Sequence, residues 1–313
     1  MVWLKRWQGF GTIAAAIVVA ATLTACHSER RPAPQPEQGS IQVSDGDGYP
    51  VVLTRPAQKI ITLSPHTTEL VYAIGAGNQI AATTSYSDYP EEAKTLPTVG
   101  DVHQLDVEAI IARKPDLIVL WPSGSASRQI DELVNSGIPV YRTHPKKLSD
   151  IPDDMEKLGI LTGHADEGRA KAAQWRSDLE NLTNRYSNGQ KIRVFYQVFD
   201  RPLYTIGGNQ FIGEAINRCG GENIFQDIKA LAPIVSVEDV LARKPDAIIS
   251  TGGMSGENGL GLWKRFPIMS AVKANALYYL DSDIISRPGP RLVDGMKTLC
   301  EDLADARAKH SQP

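Results

Sequence analysis

The chain has 313 residues, of which 42% are hydrophobic and 22% charged, and its net charge at neutral pH is −3. That length accommodates two domains of ordinary size, and that composition builds a packed core. Nearly balanced charge without a basic cluster excludes a nucleic-acid partner.

Lys5 and Arg6 precede an apolar, alanine-rich run over 10–25 that is too short to span a bilayer comfortably. Residues 1–25 therefore read as an export signal. The run ends in Leu23-Thr24-Ala25-Cys26, which resembles the lipobox of bacterial lipoproteins. The resemblance implies that Cys26 is lipidated and becomes the new N-terminus, so that several acyl chains hold the protein at a membrane. A plain signal peptide or a short anchor helix is the alternative. Export puts the two remaining cysteines, Cys219 and Cys300, in an oxidising compartment, where an even pair predicts a disulfide. Neither has a neighbouring ligand at metal spacing. Residues 26–40 carry charges and prolines and read as a flexible tether.

From residue 41 the pattern becomes regular. Segments 41–44 and 50–54 flank Asp45-Gly46-Asp47-Gly48, a hairpin signal. A buried-strand pattern at 59–63 is followed by Ser64-Pro65-His66-Thr67-Thr68-Glu69, which starts a helix whose apolar positions include Leu70, Val71 and Ile74. Gly75-Ala76-Gly77 stops that helix, and 80–84 reads as the next strand. Val107-Glu108-Ala109-Ile110-Ile111-Ala112-Arg113-Lys114-Pro115-Asp116 then returns, 130 residues later, as Val237-Glu238-Asp239-Val240-Leu241-Ala242-Arg243-Lys244-Pro245-Asp246. Each copy leads into an apolar run, 117–121 and 247–250, and then into a Ser/Gly-rich loop. This period is too long for a solenoid and suits two domains of one ancestry.

A helix over about 127–135 and a strand at 137–141 close an N-terminal lobe spanning 41–150. Over 151–190 no strand pattern occurs. Ala172, Trp175, Leu179 and Leu182 recur at helical spacing within a run from Ala165 to Arg185. Some twenty residues give a rod on the order of 30 Å, a stiff connector. A C-terminal lobe over 191–313 restarts with a strand at 193–198. A helix over about 211–219 is stopped by Gly220-Gly221, and the second repeat follows. A strand at 276–280 and a final helix near 291–307, carrying Cys300, end the chain. Strands alternating with helices predict an α/β fold: two Rossmann-like lobes with parallel sheets, joined by one long rigid helix.

The phosphate-binding loop G-x-x-x-x-G-K-[ST] and the nucleophile elbow G-x-S-x-G are both absent. An enzyme on this fold would need a nucleophile–base pair or a redox cysteine motif, and neither is found. The six histidines are scattered. His103 is the best single candidate for a metal ligand, although a lone loop histidine reads first as an ordinary polar residue. Tyr86-Ser87-Asp88-Tyr89, Trp121, Tyr204 and Asp283 to Arg287 fall just after strands, where α/β folds present ligand sites. Spread over both lobes, they suit a cleft for a large flat molecule: aromatic walls give contact area and a few polar groups fix orientation.

Several stretches resemble the periplasmic substrate-binding proteins of ABC importers that have a helical backbone between two lobes. They are Ile61-Thr62-Leu63-Ser64-Pro65 with Thr68-Glu69-Leu70, Ser85-Tyr86-Ser87-Asp88-Tyr89-Pro90, and Cys219-Gly220-Gly221-Glu222-Asn223-Ile224-Phe225. The carriers of that family serve cobalamin, haem and ferric siderophores, and the match is best to its cobalamin carriers. The resemblance implies no catalysis and no cofactor. It implies a monomer in the periplasm or at the cell surface, a corrinoid as transported ligand, and an ABC permease dimer with its ATPase subunits as partner. It also matches Cys219 and Cys300 to a disulfide, and Tyr86, Trp121, Tyr204, Asp283 and Arg287 to ligand contacts. Val102 and Ala232 stand where the cobalamin carriers have tryptophans, which removes aromatic wall and leaves haem or a ferric siderophore as the alternative ligand. Glu108 and Glu238 match the acidic pair with which such proteins dock on the permease. A glutamate in a first helical turn also simply complements the helix dipole.

Overall fold

The computed structural model describes residues 39–122 and 127–311. The expected export signal, Cys26 and nearly all of the tether lie outside the described residues. Strands β1 (Ile41–Ser44) and β2 (Pro50–Leu53) pair antiparallel as a hairpin. Its turn is fixed by Asp45, whose carboxylate accepts the amides of Asp47 at 3.0 Å and Tyr49 at 2.8 Å and pairs with Arg142 at 2.8 Å.

The first lobe contains β3 (Ile60–Thr62), α1 (Pro65–Ala73), β4 (Ile80–Ala82), α2 (Val107–Ala112), β5 (Leu117–Leu120), α3 (Ser127–Asn135) and β6 (Val140–Arg142). Its four strands run in the order β4-β3-β5-β6, all parallel. Parallel strands are covered on both faces, which is why Leu117–Leu120 is apolar throughout and wholly buried. The period of two divides the work. Ile60, Leu117 and Val119 join one core, and Ile61, Ile118 and Leu120 join another beneath Ile110 and Leu133.

Two helices follow, α4 (Asp150–Thr162) and α5 (Ala165–Tyr186), where the pattern predicts a single dominant rod. They pack on one another at a crossing that only glycine permits. A Cβ on Gly168 would stand 2.7 Å from the Met155 carbonyl oxygen, and one on Gly159 would stand 3.2 Å from the Gly168 Cα. The 22 residues of α5 lead straight into the second lobe.

That lobe contains β7 (Ile192–Asp200), β8 (Leu203–Thr205), α6 (Phe211–Arg218), β9 (Gly221–Asn223), α7 (Val237–Arg243), β10 (Ala247–Ser250), α8 (Ser270–Lys273), β11 (Leu277–Tyr279), α9 (Ser282–Ile285) and α10 (Leu292–His310). β10 pairs parallel with β7 and β11, and β9 pairs parallel with β7. β8 is antiparallel to β7, so this sheet is mixed. Neither β8 nor β9 is predicted from the sequence. Gly220, at φ +79°, does end α6 as the pattern suggests, but Gly221 opens a strand where a Cβ would lie 2.7–3.0 Å from Ile216, Leu303 and Val194.

Both copies of the repeat occupy one structural position. Asp106 caps α2 through the Ala109 amide at 2.8 Å, and Ser236 caps α7 through the Asp239 amide at 3.0 Å. Lys114 and Lys244 end these helices at φ +49° and +47°. Asp116 then exchanges backbone and carboxylate bonds with Lys59, at 2.8 and 3.0 Å, just before β3. Asp246 does the same with Arg193 in β7, at 2.7 and 3.1 Å. The repeated Lys-Pro-Asp is thus a staple that starts one strand beside another.

One apolar core runs unbroken from Val51 and Ile60 through Met155, Leu158, Trp175 and Leu179 to Val194, Ile249, Leu299 and Leu303. It spans both lobes and the helices between them. The predicted Cys219–Cys300 disulfide is present, with an S–S distance of 2.02 Å, and joins the end of α6 to α10.

Candidate ligand-binding site

The C-terminal ends of the parallel strands carry Tyr86, Trp121, Asp283 and Arg287, whereas Tyr204, expected in a loop after a strand, lies within the antiparallel β8. In the first lobe the loop after β4 is anchored by buried hydroxyls. Thr68 Oγ1 lies 2.8 Å from Thr62 Oγ1 and 2.7 Å from Thr83 Oγ1, and Thr83 donates to Ser87 Oγ at 2.8 Å. Above that network Tyr86 takes a left-handed conformation (φ +67°) and is 76% exposed. Such a backbone costs about 1–3 kcal/mol and persists only where its surroundings enforce it.

Trp121 follows β5 and is half-buried, its ring edge-on to His66 at 5.5 Å between centroids. His66 is buried, 3.2 Å from Ser64 Oγ and 3.0 Å from Thr143 Oγ1. Burial, aided by the nearby Arg287 charge, pushes its pKa down to about 3, so the ring supporting Trp121 is neutral.

In the second lobe Tyr204 is half-buried on β8, opposite Phe199 and bridged to Ile234. The loop after β10 is pinned from below. Trp263 Nε1 donates to Gln197 Oε1 at 2.6 Å, and Asp200 accepts the amides of Met254 and Ser255, both at 2.7 Å. Met254 projects into solvent from this loop.

Arg287 joins the lobes. It pairs with Asp283 at 2.8 Å in its own lobe, and with Asp88 at 3.2 Å and Glu69 at 3.1 Å in the other. Arg291 pairs with the same Glu69 at 2.7 Å and lies over the Tyr89 ring at 4.0 Å. The structure therefore gathers Asp88, Asp283 and Arg287, seats Trp121 on His66, and puts Tyr204 in the opposite lobe. Sequence reasoning missed Glu69 and Arg291, which the structure ties to the candidate residue Arg287 by ion pairs and to the Tyr89 ring. Glu69 shares the buried part of α1 with His66, Thr67 and Thr68 as well as Leu70 and Val71, so no local contrast in polarity marks it.

Glu108 and Glu238 are exposed in the first turns of α2 and α7. These helices run back along the strands that follow them, so both first turns point toward the end where the site loops lie. Val102 and Ala232 are exposed. The His103 amide donates to Asp101 at 2.8 Å, and no cluster of three or more metal-ligating side chains occurs among the described residues.

A family model described as periplasmic binding protein matches residues 60–284. A vitamin B12-binding protein of Vibrio parahaemolyticus is 33% identical over 255 residues, 81% of this chain and 92% of that protein. One from Yersinia pestis is 37% identical over 257 residues, 81% and 90% respectively. The crystal structure of a periplasmic vitamin B12 binding protein of Vibrio cholerae superposes with a TM-score of 0.75 at 33% identity, covering 82% of this chain and 99% of that one. A periplasmic haem-binding protein of Roseiflexus superposes with a TM-score of 0.68 at 23% identity, over 80% and 99%, and shares the fold. These relatives are binding proteins and not enzymes. The two-lobed α/β architecture, the identity to these relatives and the match over residues 60–284 converge on one assignment: the chain belongs to the periplasmic binding protein family.

Proposed function

We propose that this chain is the substrate-binding lipoprotein of an ABC importer, which captures cobalamin or a related corrinoid between its lobes and hands it to the membrane permease. The observation that carries this reading is the identity of 33–37%, over four-fifths of the chain, to proteins named for vitamin B12 binding. The site chemistry supports it. A corrinoid is a broad ring with polar amide arms, and Tyr86, Trp121 and Tyr204 offer aromatic faces from both lobes. Asp283 and Arg287 offer an acceptor and donors at the rim. Burying one such aromatic contributes about 1.5–3 kcal/mol, so three account for much of a tight complex. No bond is made or broken.

Cys26 would carry the lipid anchor, and Glu108 and Glu238 would meet one half each of a two-fold permease bearing its ATPase subunits. Incubated with cyanocobalamin and passed through gel filtration, the purified protein is expected to emerge coloured; a colourless protein peak contradicts the reading. The charge reversals Glu108→Lys and Glu238→Lys together are expected to abolish stimulation of the reconstituted importer while cobalamin binding stays within about twofold of the parent, as rim charges act on encounter. Loss of ligand binding instead would assign the repeat a purely structural role.

A further inference from the structure

We propose that Glu69 is the positioning residue of the cleft: it orients Arg287 toward the ligand and fixes the two site-bearing loops against one another. This inference rests on the corrinoid-carrier reading for its ligand arm only. Glu69 belongs to α1 of the first lobe and its side chain is 2% exposed. A carboxylate so buried is costly unless it is paired and hydrogen-bonded. Here it accepts three N–H groups, all from the other lobe. Arg291 grips it with Nε at 2.8 Å and Nη2 at 2.7 Å, and Arg287 Nη1 adds a third bond at 3.1 Å. The two-pronged arginine grip is directional as well as strong.

The consequences reach both arms of the site. Arg291, held by Glu69, lies over the Tyr89 ring and donates to the Asp283 carbonyl oxygen at 3.2 Å. Arg287, only 13% exposed, spans from Glu69 to the half-exposed carboxylates of Asp88 and Asp283. The loop bearing Tyr86 and Tyr89 and the segment bearing Asp283 and Arg287 therefore hang from one carboxylate. Without its charge, Arg287 would be drawn toward the two more exposed carboxylates, and Arg291 would be left nearly buried with a weakened partner. Glu69 itself lies beneath these arginines, so it acts on a ligand through them.

The test is a double-mutant cycle on cobalamin affinity with a ligand-free arm. Glu69→Gln keeps the shape and removes the charge; it is expected to weaken binding about tenfold, while in an Arg287→Ala background the same change costs only about threefold, the share carried through Arg291. Glu69→Asp, which keeps the charge, is expected to recover part of the loss. Without ligand, amides of 86–89 and 283–291 are expected to exchange roughly tenfold faster in Glu69→Gln, with those of β3 and β5 unchanged. Unaltered affinity, or an equal loss in the Arg287→Ala background, overturns the positioning role. So does amide exchange that is unchanged or accelerated throughout. A wild-type protein that retains no cobalamin overturns the corrinoid reading instead, and the exchange arm then decides the role of Glu69.

Discussion

Asp154 of α4 is 3% exposed and accepts the Tyr141 hydroxyl at 2.5 Å. Burial pushes its pKa up to about 7, against the pull of that hydrogen bond. In the unfolded chain the same carboxyl titrates near ~3.9. Between these values the folded state holds a proton that the unfolded state has released, so stability falls as pH rises through this window and stays lowered above it. Asp154→Asn cannot ionise. Its unfolding free energy relative to the parent is expected to improve between pH 5 and pH 8 by on the order of 2–4 kcal/mol, read from urea denaturation at each pH. A difference independent of pH contradicts this. Residues such as Asp154 and Glu69 show what sequence could not convey. Tyr86, Trp121 and Arg287 could be nominated because each follows a strand whose end was readable. The partners of Glu69 lie 218 and 222 residues away, a separation that leaves no local pattern.

At the level of elements, the repeat was the most legible feature because its residues act locally. A cap, an apolar face, a left-handed stop and a strand-starting aspartate all leave marks within ten positions. β8 and β9 left none, being three residues each and made by pairing to β7 rather than by their own periodicity. The helical pair α4–α5 was legible as helix, but its close crossing at Gly159 and Gly168 was not, since a glycine in a helix does not say what it faces. The disulfide joins α6 to α10 across a separation of 81 residues. Replacing both cysteines, as Cys219→Ala with Cys300→Ala, is expected to lower stability by about 2–5 kcal/mol, the usual effect of freeing a long loop in the unfolded chain. Equal denaturation midpoints for the parent and the double variant would show that packing of α6 on α10 alone carries this contact.

At the scale of the molecule, the unbroken core from Val51 to Leu303 makes the two lobes and their connecting helices one packed body. A wide hinge motion would have to expose that core, so the proposed carrier is expected to keep its cleft near one width. The ionic crossing from Glu69 to Arg287 and Arg291 reinforces the same geometry from the rim. In the carrier proposed above, Val102 and Ala232 take the places of two tryptophans and would open the cleft wall, which makes ligand identity a matter of direct comparison. The decisive measurement is calorimetric titration of the purified protein with cyanocobalamin, haemin and a ferric siderophore in parallel. Saturation by one cyanocobalamin per chain, tighter than either competitor by at least about tenfold, is the expected result. Tighter saturation by haemin or the siderophore, or no heat with cyanocobalamin, would contradict a corrinoid carrier.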